Sequence, residues 1–167
     1  MTVIVTLDDG GGMMFNRRRQ SQDRIVRDKI LELASGSRLL MNAYTYKQFQ
    51  DAQASGTVGE MSKPVDGTPE TSETVGGTPE SIGVRIASDE NFLENASADD
   101  FCFVEGADVS PYLDRIGRVI VFRWNRAYPS DVRFPVDLTA PPWKLVRTDE
   151  FPGFSHEKIT EEIYVCE

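Results

Sequence analysis

The sequence predicts an α/β fold: a central mixed, mostly parallel sheet, flanked by helices and closed by an antiparallel C-terminal hairpin. Three observations carry that reading. Extended and helical segments alternate through about the first two-thirds of the chain, the pattern of parallel strands joined by crossover helices. Extended segments then follow one another without helices, as an antiparallel edge requires. Hydrophobic residues make up 40% of the 167 residues, enough for a core in one domain.

Each element has a local cause. TVIVTL (2–7) is a β-branched run suited to a buried strand. Asp8-Asp9-Gly10-Gly11-Gly12 ends it as a turn or flexible loop. A short apolar patch, Met13-Met14-Phe15, follows, and then Arg17, Arg18 and Arg19. Between Asp23 and Ala34, Ile25, Val26, Ile30, Leu31 and Leu33 fall at helical spacing. Gly36 stands where a helix C-terminal glycine belongs. Leu39-Leu40-Met41 predicts a strand, and Tyr44 to Phe49 a helix start with Asn42 as its cap.

Residues 51–82 break the pattern. They are rich in Gly, Ser, Thr, Pro and Glu, and GTPET (67–71) and GTPES (77–81) are near copies. This composition predicts a flexible low-complexity insertion in a single domain spanning 1–167. Two short copies do not make a repeat architecture. The insertion is also where a protein partner could dock.

Order returns with VRIAS (84–88) and FCFV (101–104) as strands. Ser110-Pro111 reads as a helix start, Ser as cap and Pro at the first position, with Gly117 at the end. RVIVFRW (118–124) is the longest β-rich run. Asp131 to Leu138, Trp143 to Phe151 and Ile159 to Cys166 are further extended segments.

Composition excludes several functions. With 18 basic and 27 acidic residues the formal charge is −9, which opposes general nucleic-acid binding through phosphate neutralisation. No apolar run is long enough for a transmembrane helix, and the acidic N-terminal stretch does not resemble a signal peptide. Two cysteines, Cys102 and Cys166, make no disulfide framework, so a cytoplasmic location is expected. A single histidine, His156, excludes HxHxDH metallo-hydrolases, HExxH proteases and Cys/His zinc modules. No metal site is predicted; Asp8-Asp9 and Asp99-Asp100 lack a phosphate partner for Mg²⁺.

The segment DRIGRVIVFRWNRAYPSDVRFPVDLTAPPWKLVRTDEF (114–151) resembles the C-terminal part of the dihydrofolate reductase family. Asp131, Phe134 and Pro135 match its D-x-x-F-P motif, and Trp143 its strand-opening Trp. VTLDDGGGMMFN is similar to a shortened form of its mobile active-site loop, with Phe15-Asn16 where the family has Trp-Asn. LLMNAYTYKQF (39–49) stands at its strand-to-helix turn, and FCFVEGADVSPYLDRI (101–116) at its Gly-Gly turn and following helix. The resemblance covers everything except 51–82. It implies a dihydrofolate reductase-like sheet and, for standard members, hydride transfer from NADPH to a pterin. Helix N-termini and glycines would then hold the cofactor pyrophosphate.

This chain departs from each requirement. The Gly-Gly turn reads Glu105-Gly106-Ala107, with Asp108 nearby. Two unit charges about 4 Å apart repel by on the order of 4 kcal/mol at surface-like dielectric, about a thousandfold in affinity if nothing rearranges. The first phosphate turn reads Asn42-Ala43-Tyr44, without the family's Gly-Arg pair, while Thr45 matches the family Thr. The strand Thr that supports the pterin aligns with Phe122. Asp23 is the carboxylate placed to act as pterin anchor, and it is equally placed as a helix N-cap.

The remaining features have two readings each. Arg17-Arg18-Arg19 is either an anion clamp beside the cleft or a solvated charge run. Trp124 and Trp143 stack on a ligand or fill the core. His156, in GFSHEK, falls in a turn expected to be exposed, with no Ser or Cys paired to it by a nucleophile motif. Two functions from different classes follow. One is a degenerate family member that binds a small anionic or nucleotide-like ligand through Arg17, Arg18, Arg19 and the cleft residues Asn42, Thr45, Glu105, Gly106 and Ala107. The other is a divergent NADPH-dependent reductase with Asp23 as ligand anchor.

Overall fold

The computed structural model describes residues 1–54 and 84–167. The 55–83 stretch, including both GTPE copies, lies outside the described residues. The elements are β1 (Thr2–Leu7), β2 (Gly12–Phe15), β3 (Arg18–Arg19), α1 (Arg24–Leu33), β4 (Arg38–Met41), α2 (Ala43–Ala54), β5 (Arg85–Ser88), α3 (Phe92–Asn95), β6 (Phe101–Val104), a 3-10 segment (Ser110–Arg115), β7 (Arg118–Arg123), β8 (Val132–Arg133), β9 (Trp143–Phe151) and β10 (Ile159–Cys166).

Among the described residues, seven strands form the main sheet in the order β9-β10-β7-β1-β6-β4-β5. β1 is central and parallel to β6 and β7, with Thr2 opposite Phe101 on one side and Arg118 on the other. β4 runs parallel to both β5 and β6. β10 runs antiparallel to β7 and to β9, which forms the predicted closing hairpin. A bulge between Leu145 and Arg147 interrupts the outer strand.

The central strands are apolar on both faces because both faces are covered. Val3, Val5, Cys102, Val104, Val119 and Val121 point to one face, where Phe92 and Leu93 of α3 pack. Ile4, Leu39, Met41, Phe103, Ile120 and Phe122 point to the other, against Val26 and Ile30 of α1, Ala34 at its C-terminal cap and Phe49 of α2. The period-2 alternation of side chains places successive residues of β1 in different cores.

Several elements differ from the sequence reading. The stretch after β1 is no flexible loop alone: β2, β3 and β8 form a second small sheet. Asn16 (φ 56°) and Arg17 (φ 65°) turn β2 into β3, the two left-handed residues of a tight hairpin. Of the extended segment 131–138, Val132–Arg133 alone pairs as a strand. Ser110–Arg115 is a 3-10 segment rather than an α-helix, interrupted at Tyr112 (φ −115°), and its cap is Val109, not Ser110. The helix after Asn42 runs through to Ala54 and so takes in the first residues assigned to the insertion. No helix among the described residues is long and apolar enough to cross a membrane.

Asn42 caps α2 as predicted, its Oδ1 accepting from the Thr45 amide at 2.9 Å. Gly36 follows α1 at φ +86°, a conformation that disfavours a Cβ. Gly36→Ala should therefore lower stability by about 1 kcal/mol with no steric clash, since the site is open. Urea denaturation followed by far-UV circular dichroism checks this.

Candidate functional site

The C-terminal ends of β1 and β6 and the start of α2 face one another, and strand ends are where open α/β sheets place their crevice. At the end of β1, Asp8 is buried. Its Oδ1 accepts from the amides of Gly12 at 2.7 Å and Gly10 at 2.9 Å. Its Oδ2 accepts from the Tyr128 amide at 2.9 Å and Gln20 Nε2 at 3.3 Å. Burial pushes the Asp8 carboxyl up, but these bonds, Tyr128 first, outweigh it and hold its pKa below the ordinary value. The residues read as a mobile loop are thus fastened to one carboxylate. Gly12 has no room for a Cβ, which would overlap Ser130 and Gln20.

The three arginines do not form a cluster. Arg17 lies in the hairpin turn and Arg18 is exposed, whereas Arg19 turns inward. Its Nε and Nη2 donate to Glu105 Oε2 at 2.8 Å and Oε1 at 3.0 Å, a bidentate pair. The guanidinium also stacks on the Tyr44 ring, 4.5 Å from its centroid. Gln48 Nε2 donates to the same Glu105 carboxylate at 3.1 Å. The repulsion expected from Glu105 is thereby corrected: its charge is matched by Arg19, a partner 86 residues away in sequence.

The rest of the expected phosphate-binding edge is also internally satisfied. The Glu90 carboxylate accepts from the Ala43 amide at 2.8 Å, where an anion would meet the first turn of α2. Asn42 takes the Thr45 amide. Thr45 is buried, and its hydroxyl has no partner among the described residues. Met14 lies over Gly106, where an added Cβ would strike its sulfur. The Glu105–Gly106 peptide is trans, since among the described residues cis geometry is confined to Pro141–Pro142. Phe122, in place of the supporting Thr, is fully buried. Two hollows flank the Arg19–Glu105 pair. One, of about 280 Å³, is lined by Met14, Asn42, Tyr44, Glu105, Gly106 and Ala107. The other, of about 290 Å³, is lined by Phe15, Asn16, Arg18, Arg19, Gln20, Tyr128 and Pro129.

Asp23 caps α1, its Oδ1 accepting from the Ile25 amide at 2.9 Å. It also reaches the turn between β9 and β10. Oδ1 accepts from the Phe154 amide at 2.9 Å and Oδ2 from the Ser155 amide at 2.8 Å. His156 Nδ1 lies 2.9 Å from Oδ2. Burial raises the Asp23 carboxyl, but the Phe154 amide, His156 and the other donors overcome it and bring the pKa down from 3.8 to about 2. An ionised carboxylate only accepts, so Nδ1 carries the ring hydrogen. On the other side of the ring, Nε2 lies 2.9 Å from the Ser21 hydroxyl and 3.4 Å from the Tyr128 hydroxyl.

His156 is therefore buried, at 6% exposure, not in an exposed turn. Trp124 stacks on it, ring centroids 4.6 Å apart; of the two tryptophans it is the buried one. Gly153 makes the arrangement possible, since a Cβ there would stand 2.7 Å from Asp23 Oδ2 and 3.1 Å from the His156 carbonyl. Sequence reasoning missed Ser21 and His156 as a pair. The available signal was the lone histidine three residues after Gly153, with a cap-forming Asp early in the chain, and no local motif joins them. Cys102 is fully buried and its thiol is pushed up to about 12, mainly by burial, which makes it inert.

No protein-family model matches the chain. No curated protein matches it. Among solved structures the chain is similar to dihydrofolate reductase from Enterococcus faecalis complexed with NADP(H) and RAB-propyl, with a TM-score of 0.56 and 12% identity over 99% of this chain and 95% of that one. That likeness establishes a dihydrofolate reductase-like fold.

Asp23→Asn should cost about 2 kcal/mol near neutral pH, the equivalent of the shift from 3.8 to about 2. The unfolded carboxyl titrates near 3.8 and the folded one near 2. This stability is complete above the unfolded value and is lost as pH falls through the folded one. Urea titrations from pH 7 to pH 2 should show the gap between wild type and variant narrowing below about pH 4.

Proposed function

We propose that this protein keeps the dihydrofolate reductase-like scaffold without standard NADPH and pterin chemistry, and binds a small anionic or nucleotide-like ligand in the cleft. The bidentate Arg19–Glu105 pair carries this reading, because it stands where the family's cofactor turn is open. Four further contacts support it. Glu90 occupies the Ala43 amide, Asn42 the Thr45 amide, Met14 covers Gly106 and Asp23 is enclosed by donors of its own chain. A dinucleotide would have to displace several of these at once.

The hollow beside Phe15 and Tyr128, of about 290 Å³, suits a ligand smaller than a dinucleotide. Arg18 has no ion-pair partner among the described residues and lies beside two aromatic side chains. That combination recognises a planar group carrying a phosphate or carboxylate. Arg17 is exposed in the adjoining hairpin turn, and the buried Thr45 hydroxyl has no partner among the described residues.

Thermal denaturation with added ligand tests the reading, since a ligand at a hundred times its Kd adds about 2.7 kcal/mol of stability. NADPH should give no shift and no change in nicotinamide fluorescence. Inorganic pyrophosphate or a nucleoside monophosphate should raise the Tm, and Arg18→Ala should remove that rise. A clear shift with NADPH that disappears in Arg17→Ala or Thr45→Ala would instead establish the divergent reductase.

A second variant probes the ion pair itself. Glu105→Gln removes the negative charge from the turn while keeping a side chain that Gln48 can meet. Pyrophosphate affinity should rise roughly tenfold to a hundredfold, the weight of one like-charge repulsion relieved. Isothermal titration calorimetry at low salt measures it.

A further inference from the structure

Ser21, His156 and Asp23 have a geometry that helix capping does not explain. The Ser21 hydroxyl and His156 Nε2 are 2.9 Å apart, and His156 Nδ1 and Asp23 Oδ2 are 2.9 Å apart. The Asp side chain is wholly buried and that of His is 3% exposed. Ser21 is partly open to solvent. The carboxylate is held by the backbone amides of Phe154 and Ser155, the ring by Trp124 on its face. A base oriented by a third group and bonded to a hydroxyl defines an activated nucleophile. Ser21 and Asp23 stand two residues apart and His156 more than 130 residues further on, so geometry and not a motif brings the three together.

We propose that Ser21 is a nucleophile, with His156 as its general base and Asp23 as the positioning residue, acting on carboxylic esters that carry a second, anionic group. The hollow lined by Arg18, Gln20 and Tyr128 adjoins it: Gln20 precedes Ser21 in the chain, and the Tyr128 hydroxyl approaches the same His156 nitrogen. Arg18 meets the anionic group. The choice of an anionic substrate rests on the ligand reading given above; the nucleophile does not.

The chemistry balances with water as co-reactant. Ser21 Oγ forms a bond to the ester carbonyl carbon and gives its proton to His156 Nε2. The carbonyl electron pair moves to oxygen, where the Tyr128 hydroxyl can donate. Collapse breaks the ester C–O bond, and the departing alkoxide takes the proton from Nε2. Water then attacks the acyl-serine, again losing its proton to Nε2, and that proton returns to Ser21 Oγ. The products are the free acid and the alcohol, and the enzyme is unchanged.

A neutral alkyl fluorophosphonate tests the serine without reference to charge. Attack by Ser21 Oγ forms the P–O bond, expels fluoride and adds one phosphonyl mass. Intact-mass spectrometry with peptide mapping should find one adduct, on Ser21, absent from Ser21→Ala and retained in Ser155→Ala. Wild-type protein with a native melting curve and no adduct, or an adduct on another serine, overturns the proposal without any variant having to fold. Hydrolysis of p-nitrophenyl hemisuccinate and p-nitrophenyl butyrate supplies the second readout. Ser21→Ala should lower both rates by at least about a hundredfold, and undiminished hydrolysis overturns the serine. The hemisuccinate should be preferred roughly tenfold, and Arg18→Ala should narrow that preference. Labelling of Ser21 without any preference sustains the nucleophile and overturns the anionic substrate.

Discussion

One dry carboxylate ties the two ends of this molecule together. Asp23 completes the first turn of α1 and, with its second oxygen, fixes the turn that joins the last two strands. A charge so enclosed is tolerated only when donors surround it. Here they are backbone amides, an imidazole and a serine hydroxyl. Gly153 is small because the carboxylate needs the space, and His156 is buried because the carboxylate needs its proton. The cleft, the hairpin and the first helix share this anchor.

The sheet was legible because its causes are local. A strand between two layers must carry apolar side chains on both faces, and the middles of TVIVTL, FCFV and RVIVFRW do. Asn42 and Gly36 announced a cap and a helix end through backbone geometry that other residues meet poorly. The closing pair of strands was equally plain from their order. The short β2–β3–β8 sheet was not, since β2 and β3 are very short and β8 joins β2 across more than a hundred residues.

The cleft was legible in outline and misread in charge. Glu105 in a glycine's place looked like bare repulsion, and Arg17 to Arg19 like one unit, either a common clamp or a solvated run. Spacing along a chain gives charges but not partners. Alternation within β3 sends Arg19 one way and Arg18 the other, so the run divides into one internal partner and one outward cation. His156 shows the same limit. Its neighbours are polar, which suggests solvent, yet its environment is set by Asp23 and Trp124, neither of them near in sequence.

The Asp8 clasp has a kinetic consequence. In enzymes whose entrance loop must open and shut, arrival of a small molecule is followed by a slower isomerisation on the microsecond-to-millisecond scale. Four donors on one carboxylate leave this entrance already set. For the ligand proposed above the doorway is then finished before arrival, and stopped-flow traces of its uptake should show a single phase whose rate climbs linearly with concentration.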